Sequence, residues 1–568
     1  MTMNRRTFLK ASAGALAGLW LPGCSTESKA ETVVFRNGVV LPVDEGFSEH
    51  AALAIRGNKV LAVGSNETVM NVAGKGARVI DLEGRTVLPG FIEPHMHFTL
   101  LAAFGHTEDV GPFKQPTFEA CLKALRKVAA KTGPSDWIVA HQFDPVLLEP
   151  SRDLTTKELD EISKDRPVFV LNASGHIAYV NSKALEIAKI TKDTPDPKGA
   201  EYGRYKDGSP NGVLYGVNAH IPVMMLNKAM VTRMETGVVD AGIEVGELAT
   251  THGITTLCDM AAGAFGATAD IKGFEDMFAT GRMKTRIRAY LFDGKAEDWD
   301  KVGATYGYGD AYMRVSGWKM VVDGSNQGYT GRQREPYVGK HTKGIFYVEP
   351  EVLNEHVLKR AKQGWPLALH GNGDATIDAI LDALENVQKQ GVDVKALRCR
   401  IEHCSILHDD QIARIKALGV GPSFLINHVH YWGHVMRDKV FGPEKVQLLD
   451  RCASVDKAGL TWTMHTDAPV SPLGSLHKIR VAVVRDLWKE PGKVLAPQER
   501  VSVEAAIRSI TRDAAWLSHS ENEIGSLEPG KFADLVVLES DPRKVEPRKI
   551  SDIKVSQTWM DGKQVYGS

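Results

Sequence analysis

Residues 88–97 read LPGFIEPHMH, an apolar run that ends in His95-x-His97. Such a run predicts a buried strand over 86–93. Strand residues i and i+2 point to the same face. His95 and His97 are therefore placed side by side just past the strand's C-terminal end, where both imidazoles can meet one metal ion. A second pair, His428/His430, has the same spacing, so the pair alone decides nothing. The rest of the chain does.

Seven more short apolar segments follow, at 254–259, 287–292, 315–321, 366–369, 399–402, 420–424 and 461–464. They recur about every 35 residues with amphipathic stretches between them, the rhythm of βα units in a (β/α)8 barrel. The gap after the first strand is far longer. It holds helical patterns at 118–131 and 156–163, an apolar strand in PVFVLNAS (167–174), and a Gly/Asp/Pro-rich loop at 194–212. We read 98–233 as an inserted subdomain, followed by the first barrel helix near 235–252, within a barrel spanning 89–523. Residues 32–88 and 524–566 share a β-rich texture, with hairpin signals at Asn37-Gly38 and Gly57-Asn58, and predict one small composite β-domain built from both ends of the chain.

Four more candidate ligands stand at or near the ends of these strands. His370 closes WPLALH, His403 closes RCRIEH, Asp467 follows the last strand in WTMHTDAP, and Lys319 sits inside GWKMVVDGS. Taken singly, each also reads as a packed histidine, a surface lysine or a helix cap. In chain order they give His, His, Lys, His, His, Asp, on different strands of one barrel. That is where a TIM barrel carries its chemistry. Neutral imidazoles with a carboxylate suit zinc or a similar divalent ion.

Longer segments make a resemblance specific. PGFIEPHMH, GHIAYVNSKAL, KMVVDGS, HGNGDATID, IEHC, SFLINHVHYWGH, HTDAPVSP and IGSLEPGKFADLVVL resemble segments of the amidohydrolase superfamily, and within it amidohydrolase family 3, the group containing N-substituted formamide deformylases. The likeness spans nearly all of 32–566. It implies a distorted (β/α)8 TIM barrel with a small composite β-sandwich and an inserted domain after the first barrel strand. It implies one or two divalent ions per chain, Zn2+ by preference, held by His95, His97, His370, His403 and Asp467. Lys319 matches a lysine that becomes a ligand once CO2 converts it to an anionic carbamate. The ion lowers the pKa of a bound water to about 7. Asp467 is then the catalytic group that takes the water's proton and returns it to the leaving nitrogen. The implied reaction is hydrolysis of a C–N bond in a small amide, N-acyl or N-formyl amine. The same centre also suits esters, lactones, cyclic imides and phosphoesters. A non-catalytic ligand-binding lipoprotein is the reading that loss of Asp467 or Lys319 would favour. Relatives also suggest a homodimer.

Other residues fall around this set. Glu93, where relatives more often carry Asp, reads as a neighbour that orients ligands. In HVHYWGH, His428, His430 and His434 form a rival metal cluster. We favour a loop after the seventh strand, with His430, Tyr431 and Trp432 binding substrate. His176 in GHIAYVNS is placed to reach the pocket from the insertion, and His465 to support Asp467 from two residues away.

Composition sets the outer limits. The 568 residues carry 69 Lys+Arg against 70 Asp+Glu, with 43% hydrophobic and 24% charged residues. This is an ordinary globular balance, without the basic excess of a nucleic-acid binder. Residues 1–24 (MTMNRRTFLKASAGALAGLWLPGC) resemble a twin-arginine export signal ending in a lipobox-like LPGC. They predict an exported protein, periplasmic or anchored through a lipid on Cys24 and facing the periplasm. The remaining cysteines, 121, 258, 399, 404 and 452, have no disulfide or zinc-ribbon spacing.

Overall fold

The computed structural model describes residues 30–236 and 238–567; the leader and Cys24 lie outside them. Eight strands form one sheet in strict chain order: β1 (Phe91–Met96), β2 (Ile254–Ala262), β3 (Arg286–Phe292), β4 (Met313–Val321), β5 (Leu367–Gly371), β6 (Arg400–His403), β7 (Gly421–Phe424) and β8 (Thr463–Met464). Every neighbouring pair is parallel. Strands such as β5 are buried on both faces, which is why they read as unbroken apolar runs. Helices such as Pro350–Lys362 and Asp374–Lys389 pack outside. The result is a distorted, nearly closed (β/α)8 barrel.

Its one open seam lies between β1 and β8, which share no strand ladder. β8 is only two residues long. The seam is crossed instead by single bonds. The His97 N–H donates to the Ala468 carbonyl at 2.8 Å. Glu93 accepts from the Thr466 N–H at 2.9 Å.

The two chain ends build a two-sheet sandwich. One sheet takes all four strands from the N-terminal side, Lys59–Gly64, Ala52–Arg56, Thr32–Arg36 and Arg78–Asp81. The other mixes both ends: Val39–Val40, Thr86–Pro89, Leu535–Leu538, Val555–Met560 and Lys563–Tyr566. Phe35, Leu53, Val87, Leu535 and Trp559 pack in its core. The insertion forms a six-stranded sheet, from Glu108–Asp109 and Ile138–Phe143 through Val168–Asn172 and Ile177–Val180 to Pro210–Tyr215 and Glu201–Arg204.

Three local expectations change. The strand predicted over 86–93 is two strands: Thr86–Pro89 belongs to the sandwich and β1 to the barrel. Gly90 divides them where a Cβ would stand 2.2 Å from Thr255 Oγ1, so only glycine lets the chain pass. Asn37-Gly38 is not a hairpin turn. It carries the chain from one sandwich sheet to the other, whereas Gly57-Asn58 does join paired antiparallel strands. The loop predicted at 194–212 contains strand Glu201–Arg204, which pairs with Pro210–Tyr215. Its Gly and Asp residues form the turn of that hairpin, at Asp207-Gly208.

Candidate metal centre

At the C-terminal mouth of the barrel, five of the predicted ligands meet. Asp467 Oδ1 lies 3.1 Å from His95 Nε2 and 3.2 Å from His97 Nε2. His403 Nε2 faces His370 Nδ1 at 2.9 Å, and His403 Nδ1 lies 3.9 Å from Asp467 Oδ2. Lys319, on β4, has a fully buried side chain and its Nζ has no hydrogen-bond partner. The residues at strand ends bend to get there. His403 and Asp467 have φ of +66° and +57°, in the left-handed region that side chains seldom occupy. At His403 this turn lets two consecutive residues, Glu402 and His403, both face the centre, against the alternation of a strand.

The protonation pattern follows from the neighbours. His95 Nδ1 sits 2.6 Å from Glu402 Oε2, so its proton belongs there and Nε2 offers a lone pair. His370 Nε2 faces the Gly324 carbonyl at 3.2 Å, Asp323 Oδ1 at 3.3 Å and Asn372 Nδ2 at 3.1 Å, while its Nδ1 faces His403. Burial holds His95 below its ordinary value and, with the neighbouring His370, holds His403 well below it. Burial also pushes Asp467 up, but His95, His97 and His403 outweigh it and keep the carboxyl well below the usual range. Burial therefore favours uncharged rings at His95 and His403, beside the ionised Asp467 carboxylate.

These donors fit a divalent metal ion. His95 Nε2 and Asp467 Oδ1 are buried and close, yet neither makes a hydrogen bond. Orphaned acceptors at this spacing are costly without a cation between them. His465 is a different case. Its ring stacks on His95 at 4.4 Å and 13°, so the in-plane lone pairs run parallel and do not converge on one ion.

The insertion supplies the roof. His176 follows the Ser174-Gly175 turn and places its ring 5.1 Å from that of His370. The turn is braced by His220, whose Nε2 lies 3.1 Å from the Gly175 carbonyl. Together with His97, His370, His403 and Asp467, His176 lines a cavity of about 80 Å³. The other walls are largely apolar: Leu100, Leu171, Val217, Ile221, Met224, Phe265, Phe292 and Val470. Among the described residues, no lysine or arginine lines it.

His430, Tyr431 and Trp432 do not reach this cavity. Residues His428–Trp432 wind as a wide π-helical turn that carries them aside. His430 is engaged by the Asp486 carbonyl at 2.9 Å and by Arg480 at 3.2 Å. Tyr431 stacks on His477 beside Phe113 and Trp488. Trp432 is fully buried and donates from Nε1 to Asp144 Oδ2 at 2.7 Å, tying the barrel to the insertion. Trp432→Phe therefore strands a buried acceptor and costs about 1–3 kcal/mol of stability, with KM unchanged. Denaturant midpoints and steady-state kinetics on the same preparation test this; a shifted KM at unchanged stability would return Trp432 to the substrate wall.

Two groups escaped the sequence reading. Glu402 orients His95, and Arg400 donates to Glu402 from below. Asp323 accepts from the backbone N–H groups of Arg332, Asn372 and Gly373, fixing the loop after β5 next to His370.

Comparison with known proteins agrees with this geometry. A model of the amidohydrolase family matches residues 78–566. The chain belongs to the amidohydrolase family. Among curated members, N-substituted formamide deformylase of Arthrobacter pascens is 26% identical over 93% of this chain and 96% of its own. The Arabidopsis thaliana protein LONG AFTER FAR-RED 3 is 27% identical over 93% of this chain and 91% of its own. Among solved structures, an uncharacterized metal-dependent hydrolase from Pyrococcus horikoshii superposes with a TM-score of 0.71 at 23% identity, covering 91% of this chain and 99% of its own. This amidohydrolase thus shares the family fold along nearly its whole length.

Proposed function

We propose that this hydrolase of non-peptide C–N bonds cleaves small, uncharged N-acyl or N-formyl amines with an apolar substituent. One observation carries the reading. The His/Asp centre opens into a cavity with largely apolar walls and, among the described residues, no lysine or arginine to bind a substrate carboxylate. The similarity to a deformylase of N-substituted formamides supports the choice of bond.

His95, His97, His370, His403 and Asp467 would hold the metal. A divalent ion there supplies Lewis acidity, polarising a carbonyl and acidifying water. The protein residues do the rest. Asp467 Oδ1 faces both histidines of β1, so Oδ2 is the oxygen that takes the proton of the attacking water and passes it to the leaving amine. His176, kept neutral by burial beside His370, is placed to hydrogen-bond the substrate.

Burial pulls Lys319 down to about 8, which makes its free amine accessible near neutral pH. The amine attacks CO2, forming a carbamate and releasing one proton. The carbamate supplies the anionic oxygens that an ammonium cannot. Because the neutral amine is the reactive form, bicarbonate should raise the activity recovered by zinc-reconstituted apoprotein more above pH of about 8 than below it. Equal recovery at both pH values, or none beyond zinc alone, would remove the carbamate.

The deciding experiment is elemental analysis of protein purified without chelator, followed by turnover of neutral alkyl and aryl formamides and acetamides against carboxylated counterparts. Bound zinc with turnover of the neutral set is expected. A metal-free protein that stays empty after zinc addition, or preference for the carboxylated set, overturns the proposal. Export through the 1–24 leader, a lipid on Cys24 and pairing into a homodimer belong to the same proposal. Intact mass of the mature protein and its size in solution test them.

A further inference from the structure

The barrel's open seam carries a fully buried ion pair. Glu93, on β1, and Lys478, in the helix Ser475–Val484, meet at 2.8 Å with both side chains at 0% exposure. Glu93 spends its two oxygens on different elements. Oε1 accepts the Thr466 N–H at 2.9 Å, and Oε2 accepts from Lys478 Nζ. Lys478 Nζ also lies 3.4 Å from the Met464 carbonyl, on β8. Three segments are therefore joined at one carboxylate: the strand that carries His95 and His97, the end of β8, and the helix behind it.

The placement matters because of what is adjacent. Thr466 immediately precedes Asp467, and Glu93 lies two residues before His95. Elsewhere in the barrel, backbone ladders set how far apart ligands on neighbouring strands stand. Between β1 and β8 there is no such ladder. Yet this seam must hold Asp467 Oδ1 within 3.1 and 3.2 Å of two imidazoles, His95 on β1 and His97 just past its end.

We propose that the Glu93–Lys478 pair is a positioning device that, alongside the single His97–Ala468 backbone bond, takes the place of the missing β1–β8 ladder and helps set the spacing between Asp467 and the His95/His97 pair. Glu93 and Lys478 touch no substrate; they act through Thr466 and Met464. The inference rests on the reading of His95, His97 and Asp467 as metal ligands. A burial as complete as this also explains the pairing itself: neither charge is stable there without the other.

The test uses Glu93→Gln, Lys478→Met and the double variant, with zinc affinity measured by chelator competition on the full-length apoprotein. Hydrogen exchange of the 461–470 segment is followed without metal. Each single variant strands one group and is expected to lose stability. The double variant removes both charges and keeps an amide oxygen for Thr466, so it should fold. In it, zinc affinity should fall roughly tenfold or more, as with other groups that orient ligands. Exchange at 461–470 should quicken, and kcat should drop with KM held. Wild-type zinc affinity and kcat in a folded double variant would show the pair to be a stability element alone and overturn the inference. A wild type that binds no zinc would overturn the metal-centre reading itself, and this inference with it; that result is visible before any substitution is made.

Discussion

Asp467→Asn should lower kcat by roughly 10²–10⁴-fold, the range a positioned proton-transfer group contributes, with zinc still bound. The amide keeps an oxygen where Oδ1 faces His95 Nε2 and His97 Nε2 at 3.1 and 3.2 Å. It cannot accept a proton from water. The wild-type carboxyl, held well below its ordinary range by the surrounding histidines, is ionised and ready to do so. KM should move little, because the loss lies in proton transfer and not in ground-state binding. Zinc content and kcat are to be measured on the same sample. Full turnover in the variant would place the base elsewhere. Loss of zinc together with activity would reduce Asp467 to a ligand.

The second large effect is expected at Glu402. Its carboxylate lies between His95 Nδ1 at 2.6 Å and the buried guanidinium of Arg400. Burial raises it, but Arg400 and His95 outweigh burial and hold it well below the usual carboxylate range. Arg400 also reaches the Pro94 carbonyl at 3.0 Å and Ser423 Oγ at 3.1 Å, but neither carries charge. Glu402→Gln therefore leaves a cation uncompensated inside the barrel, at a cost of about 3–5 kcal/mol. It also loosens the tautomer of His95, so zinc affinity should drop roughly 10–100-fold. Adding Arg400→Met should restore much of the stability and none of the zinc affinity. Denaturant unfolding and chelator competition separate the two effects. If Glu402→Gln changed neither, the relay from Arg400 to His95 would have no role.

The barrel was legible because its strands are buried on both faces and evenly spaced, so apolar runs stand out from the amphipathic helices. The histidines and Asp467 were legible because each closes or follows such a run, and Lys319 because it interrupts one. Glu402 was harder to see. It is adjacent to His403, and strict alternation turns one of the two away; only the positive φ at His403 brings both inward. The parity of Arg400 and Glu402, two charged residues two apart on a short buried strand, was the available signal. The fate of HVHYWGH was not readable at all. A π-helical turn rotates each residue away from its α-helical or extended bearing, and nothing in residue type announces it. The hairpin at 201–215 was hidden by the turn-forming residues that build it.

The sandwich at the chain ends has a consequence for the order in which the molecule can be completed. Thr86–Pro89 pairs antiparallel with Leu535–Leu538. A strand made early therefore waits for one made far later along the chain. Val39–Val40, on the outer side of Thr86–Pro89, waits with it. Contacts of such sequence separation form late and slowly. During translation the N-terminal sheet can form from its own strands, but its apolar inner face, with Phe35 and Leu53, lacks Leu535 and Trp559 to cover it. The growing chain thus carries an uncovered greasy surface until residues 535–559 emerge, a natural foothold for a chaperone. Shortening the chain by its final few dozen residues would leave that surface permanently bare.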